Sequence, residues 1–513
     1  MVIELNSGAA PELIPFEPGE TLLSALRRAG VPVTAPCGGN GTCGKCLIDL
    51  RKGTEWVPAL ACQTGAKDGM TVQLPEDRSL SVETGGARVG TVPADPGLSG
   101  YGIACDIGTT TVVCHLVDLA TGKILDTEGE GNAQRPYGDD VIARIRASID
   151  GQRPELTAAV RGQLARMINT LCVRAGILPG NIVRMAAAAN TTMCHLLAGL
   201  APDSIGAAPF TPLSLFGEEI PARDLELPFD GPVYIAPAVS GYVGGDITAD
   251  LLAAGLDRAE KPALLIDVGT NGEMAIGCGE RFICCSTAAG PAFEGAQIYC
   301  GMTAAPGAVS EVVWRDGAPV CTVIGGESPA GLCGSGLIDA MAMLLTTGAV
   351  DETGRMLDPK EDDIPPELAL YLFNLPDGTP AFRLTERVCV TQADVRKLQL
   401  GKGAVSAGAK LLIEAYGAAP DQIGGLLLAG GFGSYIRPES AARIGLIPAE
   451  LLPVTRAVGN TAALGAREAL VSEDAKKRLA KLQASMEYLE LSGSAAFNDA
   501  YIDAMLFPEA EEQ

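Results

Sequence analysis

The sequence of 513 residues has few basic side chains and no long apolar run. Its 38 Lys and Arg are outnumbered by 62 Asp and Glu, and the net charge of −24 argues against a nucleic-acid binder, because basic side chains hold phosphate backbones. No stretch approaches the roughly 18 apolar residues of a membrane span, and the first residues lack the segments of a signal peptide. We therefore predict a cytoplasmic protein with neither nucleic acid nor membrane as a partner.

Two further absences narrow the class of protein. No G-x4-G-K-[ST] element occurs, so the chain is not a P-loop nucleotide-binding protein. No short repeat of the solenoid type is present either. With 47% apolar residues the chain has ample core material, and its length predicts about three domains.

The local patterns divide the chain into blocks. Residues 1–80 form one small unit, 81–99 a turn-rich and flexible linker, 100–470 a region of α/β type, and 471–513 a charged tail. In the first unit a helix over 21–29 begins at Thr21 as its N-cap. The predicted strands are 2–5, 46–50, 71–74, 102–106, 263–267 and 425–429, and the later predicted helices are 154–176, 402–416 and 473–491.

Four of the fifteen cysteines form a group in the first unit, whereas disulfides are not expected in a chain without a signal peptide. The spacing is C-x5-C-x2-C followed by a gap of 15 residues, and the group consists of Cys37, Cys43, Cys46 and Cys62. Four thiolates suit either a [2Fe–2S] cluster or tetrahedral zinc. The glycines among them let backbone N–H groups turn toward sulfur, which favours [2Fe–2S] while zinc and a purely structural role stay open.

This block resembles the [2Fe–2S] ferredoxin family over nearly all of residues 1–80. The resemblance implies a β-grasp fold in which the four cysteines bind the two irons. The gap between Cys46 and Cys62 is shorter than the family's usual one, so the hairpins that usually fill it are not predicted here.

The other eleven cysteines are predicted to be packing residues. Cys284 and Cys285 with Cys300 lack the spacing of a ligand pair, and no cysteine follows Cys389, which excludes a C-terminal cluster. The cysteines that stand singly among apolar or small residues are Cys105, Cys114, Cys172, Cys194, Cys278, Cys321, Cys333 and Cys389.

An aspartate, a glycine turn and hydroxyl residues follow a predicted strand twice, at 106–111 and at 267–273. Backbone N–H groups and Thr hydroxyls in such a turn hold phosphate oxygens, and the carboxylate orders Mg²⁺ through water or positions an attacking water. A Gly-Gly element at 430–433 lets the backbone lie flat against a planar ligand such as adenosine. One copy alone would more often be a structural turn, but two copies and the third element predict a nucleotide site.

In this order the elements resemble the phosphate-1, phosphate-2 and adenosine motifs of the actin, Hsp70 and sugar-kinase ATPase superfamily. The resemblance implies two ribonuclease-H-like lobes, over 100–260 and 261–470, that close over ATP and Mg²⁺. Asp106 and Asp267 become the catalytic acids that act on Mg²⁺ and water. The ATP contacts fall on Gly108, Thr109, Thr110, Gly269, Thr270, Asn271, Gly430, Gly431 and Gly433.

Four segments, at 132–141, 189–195, 239–248 and 290–296, resemble the reductive activators of corrinoid proteins. In those proteins a ferredoxin domain precedes an ATPase domain of this superfamily. The combined resemblance covers almost the whole chain.

Single residues in these regions are less specific. Asp246 and Glu294 are candidates for the nucleotide cleft, and 334–336 for the start of a helix near it, with turn and capping roles equally open. His195 and His115 are predicted to be hydrogen-bonded core residues and not ligands.

The resemblance implies ATP-dependent reductive activation of a corrinoid protein. An external low-potential donor reduces the [2Fe–2S] cluster, which passes one electron to Co(II) and restores Co(I) for methyl transfer. Two alternatives stay open: a redox-sensing nucleotide switch or scaffold, and an ATP-driven activator of another low-potential enzyme such as a 2-hydroxyacyl-CoA dehydratase. The four-cysteine domain speaks against the second, because those activators share a [4Fe–4S] cluster across a dimer. The sequence leaves a homodimer open.

Overall fold

The computed structural model describes residues 1–6, 12–29, 31, 33, 46–53, 55–74, 93–361, 363–431 and 435–509. Most of the predicted linker over 81–99 lies outside these residues, and only 93–99 of it is described. Among the helices of the described residues, none combines the length and the apolar content that a membrane crossing requires.

The N-terminal unit is a mixed sheet with one helix packed on it. Its elements are β1 (Val2–Leu5), β2 (Glu12–Pro15), α1 (Leu22–Arg28), β3 (Leu47–Lys52), β4 (Glu55–Leu60) and β5 (Met70–Gln73). The strand order is β2-β1-β5-β3-β4, with only β1 and β5 parallel. Thr21 caps α1 by accepting a hydrogen bond from the Ser24 N–H, and Leu22 and Leu26 are buried in the same core as Ile3 and Ile48. The predicted β-grasp fold is confirmed.

A six-stranded sheet follows, in the order β10-β11-β9-β6-β7-β8. Its strands are β6 (Tyr101–Ile107), β7 (Thr111–Asp118), β8 (Lys123–Gly131), β9 (Ile182–Ala189), β10 (Glu219–Pro221) and β11 (Pro232–Ile235). The helices of this part are α2 (Val141–Ala147), α3 (Arg153–Ala175), α4 (Thr191–Ala198) and α5 (Gly245–Ala253). The strand predicted at 102–106 and the helix predicted at 154–176 are confirmed by β6 and α3.

The second six-stranded sheet has the order β22-β21-β12-β13-β14-β23, and two three-stranded sheets, β16-β15-β17 and β18-β19-β20, lie between β14 and β21 in the chain. The strands are β12 (Ala263–Val268), β13 (Gly272–Cys278), β14 (Arg281–Thr287), β15 (Ala308–Arg315), β16 (Ala318–Val323), β17 (Gly331–Leu332), β18 (Leu372–Asn374), β19 (Pro380–Arg383), β20 (Cys389–Thr391), β21 (Gly425–Ala429), β22 (Thr455–Gly459) and β23 (Met486–Tyr488). The helices are α6 (Gly334–Thr347), α7 (Pro366–Ala369), α8 (Gln392–Tyr416), α9 (Pro438–Arg443), α10 (Thr461–Val471), α11 (Glu473–Ser485) and α12 (Ala495–Ala504). The strands predicted at 263–267 and 425–429 are confirmed.

The two six-stranded sheets repeat one arrangement. In the first, three antiparallel strands β6, β7 and β8 are extended by β9 and β11, which run parallel to β6. In the second, β12, β13 and β14 are extended in the same way by β21 and β22. The shared order of five strands is that of a ribonuclease-H-like lobe, so the two lobes that the resemblance implies are confirmed.

The helices α5 and α10 join the two lobes. They belong to one apolar core that also contains Ala104 of the first sheet and Leu265 of the second. A side chain at Gly465 would place its Cβ 2.1 Å from the Ala249 carbonyl oxygen, so glycine is needed for α10 to approach α5 this closely. Leu470 of α10 in turn lies against β6 at Gly102. Thus α10, although it follows the last parallel strand of the second lobe, packs on the first.

The C-terminal region is folded onto the second lobe. The helix predicted over 473–491 ends at Ser485, because Met486–Tyr488 pairs with β14 as an edge strand. Met505 and Leu506, which follow α12, accept hydrogen bonds from Gln399 and Lys402 of α8. The helix α8 itself begins at Gln392, ten residues before its predicted start at 402.

The chain that enters the first lobe is also anchored. The Asp95 N–H donates to the Val471 carbonyl oxygen at 2.9 Å, and the Asp95 carboxylate accepts from the Glu473 N–H at 2.7 Å. Asp95 therefore ties the end of the predicted linker to the junction between α10 and α11.

Candidate active site

The two predicted acids lie at the ends of equivalent strands and line one cleft. Asp106 is the penultimate residue of β6, and Asp267 is the penultimate residue of β12. The cleft narrows to a cavity of about 80 Å³ between the two lobes. All predicted ATP contacts that the structure describes line it, namely Gly108, Thr109, Thr110, Gly269, Thr270, Asn271, Gly430 and Gly431. Gly433 lies outside the described residues.

Gly430 is placed against Asp267 in a way that only glycine allows. Its backbone has a φ of +91°, and a Cβ there would lie 2.2 Å from Asp267 Oδ1. The Gly-Gly element at 430–433 therefore meets Asp267 at Gly430, which brings the adenosine-type and phosphate-2-type elements together.

The two phosphate-type loops meet across the cleft. Thr110 Oγ1 lies 3.4 Å from Thr270 Oγ1, although 160 positions separate them. The Glu294 carboxylate accepts hydrogen bonds from the Thr110 hydroxyl and, at 3.1 Å, from the Thr270 N–H. Glu294 thus bridges the loops of the two lobes, and its predicted place in the cleft agrees with the geometry.

Two asparagines that the sequence analysis gave no role also line the cleft. Asn460 Nδ2 donates to Asp106 Oδ2 at 2.8 Å, and Asn190 Nδ2 donates to Thr109 Oγ1 at 2.9 Å. Each of them directly follows a strand and caps the next helix: Asn190 follows β9 of the first sheet, and Asn460 follows β22 of the second. A polar residue directly after the mostly buried β9 was the signal that could have identified Asn190, whereas β22 before Asn460 is largely exposed and gives no such signal.

The floor of the cleft is rich in carboxyl groups. Burial raises the pKa of Asp106 to about 7 and that of Asp246 to about 6, and it raises the pKa of Asp267 well above its usual range. Asp246 adds repulsion to the other two, while the Asn460 hydrogen bond lowers the pKa of Asp106. Asp250 and Glu273 lie close to these carboxylates, and burial together with repulsion by Asp246 and Asp267 raises their pKa values as well.

The excess of carboxyl groups in the cleft suits a cation that enters bound to a nucleotide. The described lining of the cleft contains no Lys, Arg or His. Across the described part of the chain, no three Asp, Glu, Cys or His side chains form a ready metal site. Mg²⁺ commonly keeps several waters and binds through one or two carboxylates together with substrate phosphates. The carboxyl groups therefore suit Mg²⁺ bound to a nucleotide better than an all-protein metal site.

Two of the four predicted cluster ligands are described. The Sγ atoms of Cys46 and Cys62 lie 3.2 Å apart, and the Cys62 N–H points to Cys46 Sγ at 3.4 Å. Cys46 directly precedes β3 and Cys62 follows β4, so the sheet itself positions this pair. Such a separation lets both thiolates bind one metal ion. Cys37 and Cys43 lie outside the described residues.

Four of the cysteines predicted to be packing residues lie in two close pairs. Cys105 and Cys114 face each other across β6 and β7, with their Sγ atoms 2.6 Å apart. Cys300 and Cys389 have Sγ atoms 3.8 Å apart. Cross-strand register and tertiary packing create both pairs, which sequence spacing does not reveal.

The histidine predictions are confirmed. His195 is fully buried, its Nδ1 lies 2.7 Å from the Thr191 carbonyl oxygen, and its Nε2 faces the Leu213 N–H at 3.1 Å. His115 Nδ1 lies 2.8 Å from Thr127 Oγ1. Both rings are satisfied within the core. The helix expected to open at 334–336 is α6, which begins at Gly334.

The fold and the cleft define a two-lobed ATPase of the actin, Hsp70 and sugar-kinase type that carries a ferredoxin domain. Three family profiles match successive parts of the chain: the 2Fe-2S iron-sulfur cluster binding domain over 9–67, the RACo middle region over 101–259, and the C-terminal domain of RACo, the ASKHA domain, over 261–513. The N-terminal domain is thus a [2Fe–2S] domain, and the two lobes form a nucleotide-binding domain.

Proteins with similar sequences and structures cover almost the full length. The corrinoid activation enzyme RamQ of Eubacterium limosum is 31% identical over 93% of this chain and 94% of that protein. The [Co(II) methylated amine-specific corrinoid protein] reductase of Methanosarcina barkeri is 27% identical over 78% of this chain. A solved structure of a reductive activator for corrinoid, iron-sulfur protein has a TM-score of 0.74 and 28% identity, and the match covers 99% of this chain and 98% of that one. The chain belongs to the RACo family of corrinoid activation enzymes.

Proposed function

We propose that this protein uses ATP to drive the transfer of one electron to Co(II) of a corrinoid protein, which restores the Co(I) form. One observation carries the proposal: a single chain joins a [2Fe–2S] domain to an ATPase cleft, and it is similar to corrinoid activation enzymes over nearly its full length. A simple electron carrier would need only the [2Fe–2S] domain, and a simple ATPase would need only the cleft.

Within the ATPase cleft, the proposed roles follow from position. Backbone N–H groups and hydroxyls of Gly108–Thr110 and Gly269–Asn271 bind the phosphates, and Gly430 with Gly431 leaves room for the adenosine. Gly433, outside the described residues, stays a predicted contact. Asp106 and Asp267, at the strand ends between the two loops, hold Mg²⁺ through water and orient the attacking water. Mg²⁺, when bound with ATP, would supply positive charge against the phosphates.

The chain's own residues then couple the nucleotide to lobe position. Glu294 bridges Thr110 and Thr270, so a phosphate group that binds either threonine competes with that carboxylate. Asn460, at the start of α10, contacts Asp106 of the other lobe. When ATP is hydrolysed next to Asp106, a change at this carboxylate therefore reaches α10, the helix that joins the lobes. We infer that the resulting movement of the lobes drives the electron transfer.

In the ferredoxin domain, Cys37, Cys43, Cys46 and Cys62 would hold the cluster. When bound, the [2Fe–2S] cluster supplies one electron at low potential, about −400 mV for plant-type clusters. An external donor of still lower potential replaces that electron. The partner is the corrinoid protein of a methyltransferase system, and the net charge of −24 requires local complementarity for docking. The cytoplasmic location and the homodimer stay predictions.

The decisive experiment is anaerobic reduction of a Co(II) corrinoid protein, followed by its visible spectrum with and without ATP. We expect Co(I) to form only when the protein, ATP, Mg²⁺ and a low-potential donor are all present. The Asp106→Asn variant with an intact cluster, and the Cys46→Ser variant with an intact ATPase, should each abolish it. Co(I) formation at the same rate without ATP would refute the coupling, and its absence with every corrinoid protein tested would refute the function.

A further inference from the structure

The segment 132–141, which resembles the corrinoid activators, has no role assigned so far, and together with the next three residues it forms the stretch 132–144. It starts directly after β8 with Asn132 and ends within α2 at Arg144. Both side chains are buried, with an exposure of 2% for Asn132 and 0% for Arg144. Neither Asn132 nor Arg144 is among the residues that line the cleft.

Three consecutive carbonyl groups of that loop are hydrogen-bonded to the segment. The Gly108 oxygen accepts from Asn132 Nδ2 at 2.7 Å, and the Thr110 oxygen accepts from the Asn132 N–H at 2.8 Å. Between them, the Thr109 oxygen accepts from Arg144 Nη2. Two residues, Asn132 and Arg144, therefore fix every peptide carbonyl of the loop.

The consequence for anion binding follows from peptide geometry. In a trans peptide the C=O and the following N–H point in opposite directions. Carbonyl groups held on the segment side therefore turn the N–H groups of Thr109 and Thr110 toward the cleft. Several N–H groups that converge in this way form an anion-binding nest before any ligand arrives.

Arg144 is held in place by neutral groups. Its Nε donates to the Gly138 oxygen at 2.9 Å, and its Nη1 lies 3.2 Å from Gln134 Oε1 and 3.0 Å from Met193 Sδ. These acceptors carry no charge, and the nearby carboxylates of Asp139, Asp140 and Glu294 act on the guanidinium only through space, so its hydrogen bonds stay available to carbonyl groups.

The second loop is built differently. Its Gly269 N–H donates to the Asn271 oxygen at 3.1 Å, and its Thr270 N–H donates to Glu294 at 3.1 Å. These two N–H groups already have acceptors within the protein, so a phosphate that binds them must displace the Asn271 oxygen and the Glu294 carboxylate. The duplicated loops thus differ in their backbone donors: the N–H groups of Gly269 and Thr270 have acceptors in the protein, whereas in the first loop Glu294 holds only the hydroxyl of Thr110.

We propose that Asn132 and Arg144 are positioning residues that hold the first loop as a pre-formed phosphate nest. The nucleotide phosphates bind this loop first, and the second loop then exchanges Glu294 for phosphate. The inference rests on the proposed function only in that the cleft binds ATP; it does not depend on the corrinoid partner.

The test measures ADP and AMP binding to the full chain by calorimetry, without any corrinoid protein. We expect Arg144→Met to raise the dissociation constant of ADP about tenfold, because a buried carbonyl loses its donor. AMP, which lacks the further phosphates, should bind with an unchanged constant. The KM for ATP should rise with the ADP constant while kcat stays within about threefold, and Arg144→Lys should restore part of the affinity.

Arg146→Met is the matched control, because Arg146 lies on the same helix with 72% of its side chain exposed and pairs only with Asp150 at the surface. If Arg144→Met does not fold, Asn132→Ala serves instead, since it removes the bond to Gly108 but keeps the backbone bond to Thr110. An ADP constant within twofold of wild type, or an equal loss for ADP and AMP, would overturn the proposal. Failure to form Co(I) would count against the proposed function and leave this result untouched.

Discussion

Asn460 Nδ2 donates a hydrogen bond to Asp106 Oδ2 at 2.8 Å, although 354 positions separate the two residues in the sequence. The contact links the end of β6 in the first lobe to the start of α10. It lowers the pKa of Asp106 against the effect of burial, which raises that pKa to about 7. Asn460 therefore helps to keep Asp106 ionised at neutral pH.

The first prediction concerns this pair. In Asn460→Ser the cap of α10 can be retained, but the short side chain cannot reach Asp106 as the amide does. We expect kcat for ATP hydrolysis to fall about tenfold, the value of one hydrogen bond to a charged group. The acid limb of the pH–rate profile should move to higher pH, because Asp106 then loses its proton only at higher pH. Asn374→Ser, at a site far along the second lobe, is the control, and an unshifted profile in Asn460→Ser would contradict the role.

The second prediction concerns the cluster ligands. Cys46→Ser and Cys62→Ser should each abolish the EPR signal of the reduced [2Fe–2S] cluster, since the two thiolates lie 3.2 Å apart as a ligand pair. The same loss is expected for Cys37→Ser and Cys43→Ser. Basal ATP hydrolysis should be unchanged in all four.

Cys321→Ser, at a half-buried cysteine of the second lobe, is the control and should keep the full signal. A colourless wild-type protein that contains zinc would refute the cluster assignment.

The third prediction concerns the bridge between the loops. Glu294 holds Thr110 and Thr270 with a carboxylate that phosphate must displace. Glu294→Gln removes a like charge from the phosphate site, so ADP should bind about three- to tenfold more tightly. Calorimetry checks this, with Glu386→Gln, an exposed acid of the same lobe, as the control. Weaker binding in Glu294→Gln would show that the carboxylate assists the nucleotide instead of competing with it.

The fourth prediction concerns pH and the C-terminal region. Lys402 is buried, its Nζ donates to the Leu506 oxygen and lies over the Phe507 ring, and burial lowers its pKa to about 8. Between this value and the unfolded value of about 10.4, the unfolded chain binds more protons than the folded one, so stability rises with pH.

Relative to Lys402→Met, the wild-type free energy of unfolding should therefore increase by about 1–2 kcal/mol from pH 7.5 to pH 9.5. Denaturant unfolding at the two pH values measures it. Lys410→Met, an exposed lysine of the same helix, should show no such change. If the free energy of unfolding of the wild type, relative to Lys402→Met, fell with rising pH, a lowered pKa of Lys402 would be excluded.

The sequence predicts those parts of the site that are local. Asp106 and Asp267 each follow an apolar strand and precede a glycine turn, and the pattern alone places them at a sheet edge. Asn460 and Arg144 escape prediction because their partners lie far away in the chain, and only the packing of α10 and α2 brings them to the loops. The three-residue strand Met486–Tyr488 is equally invisible, because it exists only through its pairing with β14.

The anchor at Asp95 sets a limit on the reach of the electron carrier. The chain from Gln73, the last residue of the ferredoxin sheet, to Asp95 contains 95 − 73 = 22 peptide steps. Because a fully extended chain spans at most about 3.6 Å per residue, the end of that sheet stays within roughly 80 Å of Asp95. A corrinoid protein that is bound to the ATPase lobes must therefore present its cobalt within this radius plus the length of the ferredoxin domain itself.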